Sequence, residues 1–126
     1  MESKTEEIKN HFLFLEDYGL TLYQKKTSNS GSCIEFKGNG IKVHLVFDYK
    51  ELWFYFSFFR GEELEYSDAA VWKEIFPFYA LGEKYDKNFN WKDLQPEYVG
   101  YKKALENNVL LLKQYGYNIL TGKEWF

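Results

Sequence analysis

The chain has 126 residues, a formal net charge of -3, a single cysteine and an aromatic content of 21%. That length fits one domain, 1–126, and not two. One cysteine excludes an internal disulfide, the acidic balance argues against a phosphate-tracking nucleic-acid binder, and no apolar run approaches bilayer length. With a polar N-terminal stretch that does not read as a signal segment, the expectation is a cytoplasmic protein with neither nucleic acid nor membrane as partner.

Taken in chain order, Ser3-Lys4-Thr5-Glu6 has the form of a capping box with Ser3 as N-cap, which predicts a helix. Ile8, His11, Phe12, Phe14, Leu15 and Tyr18 share one arc of it, with Lys9, Asn10, Glu16 and Asp17 opposite. Gly19 then suits the left-handed position that ends a helix. Leu20 and Leu22 alternate with Thr21 and Tyr23 in a first strand, and the Ser-, Asn- and Gly-rich stretch 27–32 reads as a loop. Ile34 and Phe36 lie on one side of a second strand. Gly38-Asn39-Gly40 is a tight hairpin signal, because these residues accept positive φ at little cost. Ile41, Val43, Leu45 and Phe47 give a third strand of clean period two, and 52–59 a fourth.

The second half reads as helical. Ser67 or Asp68 caps a helix carrying Val71, Trp72, Ile75 and Phe76, which Pro77 should break or kink. Residues 82–90 form a polar connection with scattered aromatics. A long helix is expected from about 93–97, with Pro96 in its first turn and Tyr98, Tyr101, Ala104, Leu105, Val109, Leu111, Leu112 and Tyr115 on its apolar arc. Gly116 repeats the capping role of Gly19, and the tail, with Ile119, Leu120 and Trp125, is expected to pack. The sum is an α+β fold: a four-stranded antiparallel meander with an N-terminal helix and C-terminal helices packed mainly on one face.

Chemistry-bearing residues are sparse. His11 sits on the buried arc of the first helix and reads as a core-edge imidazole bonded to backbone; His44 alternates with Val43 and Leu45 and so faces away from the core. No His, Cys or Glu spacing suggests a metal site, and no glycine-rich phosphate loop or other cofactor motif is present. Cys33 would need His44 or His11 as a base; one hairpin could put Cys33 and His44 on a single sheet face, but a half-buried structural thiol is the simpler account. Glu62, Glu63, Glu65 and Asp68 cluster beyond the fourth strand, where solvation and helix capping explain most of them and a recognition patch suits them better than acid–base work. No catalytic residues are assigned, and the protein is not expected to be an enzyme.

The fourth strand carries the functional signal. Leu52, Phe54, Phe56 and Phe58 point one way, and Trp53, Tyr55, Ser57 and Phe59 the other. A strand with one wet face should show polar residues there, so the second row is either covered, for instance by the tail with Trp125 and Phe126, or exposed as a partner site. Trp and Tyr are the residues that dominate binding hot spots. The partner-binding candidates are therefore Trp53, Tyr55 and Phe59 as apolar anchors and Glu62, Glu63 and Glu65 as a charged rim.

The segment Phe14-Leu15-Glu16-Asp17-Tyr18-Gly19-Leu20, joining a helix to a meander, and the segments Leu110-Leu111-Leu112-Lys113-Gln114-Tyr115-Gly116 and Asn118-Ile119-Leu120-Thr121-Gly122, closing a long helix, give the chain an architecture that resembles small bacterial α+β immunity-type proteins of polymorphic toxin systems. The resemblance implies a cytoplasmic inhibitor that binds one toxin domain and blocks its active site, with no catalytic residues and no binding residues to carry over. A basic toxin would suit an acidic, aromatic surface. The leading reading is thus a protein-binding module. A self-associating or accessory domain, with the aromatic strand as a homodimer interface, and an enzyme built on Cys33 or the acidic cluster stand as alternatives.

Overall fold

The computed structural model describes residues 2–66 and 74–126, with the side chain of Glu2 left aside. Helix α1, Glu2–His11, passes into a 3-10 segment, Leu13–Tyr18. Strands β1 (Thr21–Thr27), β2 (Gly31–Gly38), β3 (Ile41–Asp48) and β4 (Trp53–Phe59) follow, then β5 (Ile75–Pro77) and helix α2 (Phe78–Tyr85). A 3-10 turn, Trp91–Leu94, leads to helices α3 (Pro96–Val99), α4 (Tyr101–Tyr115) and α5 (Tyr117–Leu120).

Among the described residues, five strands form one antiparallel sheet in the order β1-β2-β3-β4-β5, one more than the sequence pattern suggested. The extra strand is Ile75–Pro77, which pairs with Ser57–Phe59. Ile75 and Phe76 are therefore extended and not helical. Pro77 sits on an edge strand, where its missing N–H costs no ladder bond, and opens α2 where a kink was expected. The remainder of the helix expected here, with Val71 and Trp72, lies outside the described residues.

Local chemistry explains most of the remaining boundaries. Asn39 and Gly40 have φ of 56° and 78°, the twin positive values of a two-residue hairpin turn, and they set the β2–β3 register that places Glu35 opposite His44. Gly19, at φ 91°, ends the 3-10 segment: its N–H donates to the Glu16 carbonyl and the Leu20 N–H to the Leu15 carbonyl. Ser3 lies inside α1 and not at its cap; Glu6 instead pairs with Lys9 and Lys25, which ties α1 to β1. Gly100, at φ 90°, separates α3 from α4, so the long helix begins at Tyr101 and not near Pro96.

The helices cover one face of the sheet. Phe54, Phe56 and Phe58 lie there with Ile34, Phe36, Val43, Leu45 and Phe47, sealed by Ile8, Phe12 and Leu15 from the N-terminal segment and by Ala104, Leu105 and Leu112 from α4. Phe12 meets Phe56 edge-on at 5.6 Å, and Phe58 stacks on Phe78 at 4.6 Å. The tail packs on this side too: Phe126 stacks on Phe76 at 4.6 Å and touches Phe58 at 5.6 Å. It therefore does not close the second face. His11 is bonded through Nδ1 to the Glu7 carbonyl, the backbone-satisfied imidazole its position implied.

Candidate functional site

The second face of the sheet divides into a closed end and an open end along β4. The closed end is made by residues 60–66, which fold back over the sheet as a strap. Glu62 Oε2 accepts the Gly40 N–H at 3.0 Å, Glu63 pairs with Lys37 at 3.3 Å, and Lys42 Nζ donates to the Leu64 carbonyl at 2.6 Å and reaches Glu65 at 3.4 Å. Tyr66 donates its hydroxyl to Ser57 Oγ and lies edge-on to Phe59 at 4.9 Å and to His44 at 5.5 Å. Phe59 is 0% exposed beneath this strap, so it offers no surface to a partner. The three glutamates act here as tethers of the strap. They sit at the Phe59 end of β4, six residues, or about 20 Å of extended chain, from Trp53.

Under the strap lies a small ionic network. Glu35 and His44, direct neighbours across the β2–β3 ladder, meet at 2.7 Å, and Glu35 lies 3.3 Å from the fully buried Lys42 ammonium. Burial pushes the His44 imidazole below its ordinary value despite the Glu35 carboxylate beside it. Burial pushes the Glu35 carboxyl up, but the hydrogen bond from His44 and the charge of Lys42 outweigh it and hold the group below its ordinary range. Near neutral pH the network is a Glu35–Lys42 ion pair with a neutral histidine donating to the shared carboxylate. His44 is thus half-buried and engaged, where the sequence pattern suggested a solvated ring.

Cys33 does share this face with His44, but its ladder partner is Val46. Burial and the Glu35 charge push its thiol up, the opposite of what an activated nucleophile needs. Among the described residues no three His, Cys, Asp or Glu side chains converge as a metal site.

The open end owes its shape to the shortness of β5. That strand stops at Pro77, leaving the outer edge of β4 without a strand partner at Phe54. Gln95 takes the strand's place there: its Oε1 accepts the Phe54 N–H at 2.8 Å and its Nε2 donates to the Phe54 carbonyl at 3.0 Å. Gln95 is positioned by the turn before it. Asn90 accepts the Lys92 N–H through its side chain, and Asn108 Nδ2 donates to the Leu94 carbonyl at 3.0 Å.

Between the β4 edge, this turn and the start of α2 lies a cavity of about 310 Å³. Trp53, Tyr55, Tyr79 and Trp91 form its walls, with Phe56, Phe78 and Leu94 deeper. Trp53 and Trp91 approach to 5.9 Å, and Tyr98 meets Trp91 edge-on at 5.6 Å. Tyr55 is 43% exposed and donates its hydroxyl to Glu51 at 2.8 Å.

Two of the residues singled out in the sequence, Trp53 and Tyr55, are therefore brought together at a pocket, and Phe59 is not. Tyr79, Trp91 and Tyr98 complete the surface and were missed. Tyr98 was assigned to the apolar arc of a continuous helix, which Gly100 in fact interrupts; Asn90 directly before Trp91 is a local capping signal that could have marked the turn. Among the described residues, no helix is long and apolar enough to cross a membrane. No family model, curated protein or solved structure matches the chain, so any functional reading rests on these residues themselves.

Proposed function

We propose that the protein is a protein-binding module that docks its partner on the aromatic surface at the open end of β4, and that it acts in the cytoplasm as an immunity-type inhibitor of a toxin domain. One observation carries the binding reading: Trp53, Tyr55, Tyr79, Trp91 and Tyr98 stay at the surface around a walled pocket instead of joining the core. Aromatic anchors beside a preformed pocket are the usual anatomy of a binding hot spot. The scaffold beneath them is fixed by the Gln95 and Asn108 hydrogen bonds, so little ordering entropy opposes docking. The inhibitor role draws its support from the architectural resemblance alone.

The test is co-expression with the product of the neighbouring gene, followed by affinity capture. Trp91→Ala combined with Tyr55→Ala should abolish capture and any rescue from toxicity. Glu63→Gln, at the far end of the strand, should leave both intact. Failure of the wild-type protein to capture or protect would remove the reading.

A further inference from the structure

Resting on that reading, we infer that the pocket receives an arginine side chain of the partner, its guanidinium stacked among Trp53, Tyr55 and Trp91. The first ground is how the molecule treats several of its other surface rings. Lys37 lies 3.5 Å over Tyr23, Lys123 lies 4.7 Å over Tyr117 and Lys113 lies 5.0 Å over Phe14. Lys92 stands 5.3 Å over Tyr98, at the outer rim of the aromatic cluster. Among the described residues, Trp53, Tyr55 and Tyr79 have no such cation from the chain itself. With Trp91, over which Lys92 stands at a long 6.0 Å, they are the rings that face the cavity, so the pocket presents three π faces without a cation from the chain itself.

The second ground is charge. The β3–β4 turn and the segment carrying Trp91 and Tyr98 supply Asp48, Glu51, Asp93 and Glu97 against Lys50 and Lys92. Asp48 stands opposite Trp53 in the ladder, and Glu51 accepts the Tyr55 hydroxyl, which enriches that ring in electron density. The positive end of α2 lies on the opposite wall at Pro77 and Tyr79, so a cation belongs on the Glu51 side.

The third ground is size. A cavity of about 310 Å³ sits at the lower limit for small-molecule sites and suits one long side chain. Arginine fits better than lysine, because its planar, weakly hydrated guanidinium stacks on indole and loses less hydration on entry.

The experiment titrates the protein with acetyl-Gly-Arg-Gly-amide, its lysine counterpart and its uncharged citrulline counterpart, following the indole N–H resonances by NMR. The arginine peptide should shift the Trp53 and Trp91 signals saturably, with citrulline weaker by roughly tenfold and lysine intermediate. Trp91→Ala should weaken arginine binding by a similar factor; Tyr55→Ala, at an exposed ring of the same stack, serves the same purpose should that variant fail to fold. Equal binding of arginine and citrulline overturns the cationic assignment while leaving an apolar docking pocket, and so the proposed function, in place. Absence of any indole shift with the arginine peptide also overturns it. Failure of the co-expression capture, in contrast, bears on the protein partner and not on this chemistry.

Discussion

The two ends of one row of side chains on β4 have opposite fates. Ser57 and Phe59 are buried beneath the strap, whereas Trp53 and Tyr55, on the same strand and the same face, border an open pocket. Alternation assigned all four to one surface, and the sheet does place them on one surface. What separates them is the chain that returns over each end. A polar segment held by Glu62, Lys42 and Tyr66 covers one, and a turn held by Asn90 and Asn108 stands beside the other without covering it. Period-two patterning thus tells which residues share a face, but tertiary return decides which of them meet solvent.

The comparison can be broken at the closed end first. Phe59→Ala should destabilise the protein by about 3–5 kcal/mol through the cavity it leaves, seen as a lower urea midpoint at unchanged m-value. A small effect there would mean the strap does not seal the ring. Lys42→Ala, which strands Glu35 next to a cavity, should cost about 3 kcal/mol, and Lys42→Met distinctly less, because the methionine refills the space. Equal losses from the two would show that charge and not volume governs this position.

Between the two ends, Gln95→Ala should cost about 2 kcal/mol by leaving the Phe54 N–H and carbonyl without partners. It should also weaken partner capture, since the pocket loses its fixed edge; unchanged capture would separate the pocket from its scaffold.

Acidification sharpens the contrast. His44 and Glu35 are both held below their ordinary values of 6.5 and 4.5, so the unfolded chain takes up protons more readily than the folded one. Their contribution is complete above pH 6.5, begins to fall as the pH drops through that value, and falls again below 4.5. A melting-temperature profile from pH 8 to 4 should show both declines, and His44→Phe should remove the upper one and shrink the lower, because the His44 hydrogen bond helps hold the Glu35 carboxyl down. A profile that is flat between about 7 and 5 in the wild type would contradict a buried neutral imidazole. The smallest effect on folding is expected at the open end, where Tyr55→Ala should leave the melting temperature almost unchanged. A large loss of stability there would move the ring into the core.

Much of the architecture was legible in the residues. The Asn39–Gly40 turn and the β3 alternation are local signals, and each became the element expected of it; the helix expected to run to Gly19 instead ends at His11, and Gly19 stops the 3-10 segment Leu13–Tyr18 that follows. The fifth strand was not legible, because Ile75–Pro77 is only three residues long and owes its conformation to pairing with Ser57–Phe59. Nor was the break at Gly100, since an isolated glycine in a helical pattern is often tolerated. The candidate site was half legible: Trp53 and Tyr55 stood out by composition, while Tyr79 and Trp91 reach the same pocket from two separate elements and Tyr98 flanks it, against Trp91, from a third. The burial of Phe59 depends on Tyr66 and Lys42, whose roles arise only when the strap closes.

The Gln95 amide has a consequence for the behaviour of the protein at high concentration. An outer strand with free amide and carbonyl groups is a template onto which another chain can add, and proteins commonly blunt such borders with bulges, prolines or charge. On β4 the border is stopped first by Pro77 and then by one side chain that imitates a peptide unit. Removing that imitation would turn an aromatic, β-prone segment into an open seam. Aggregation of concentrated protein, in place of simple loss of fold, is then the failure to look for.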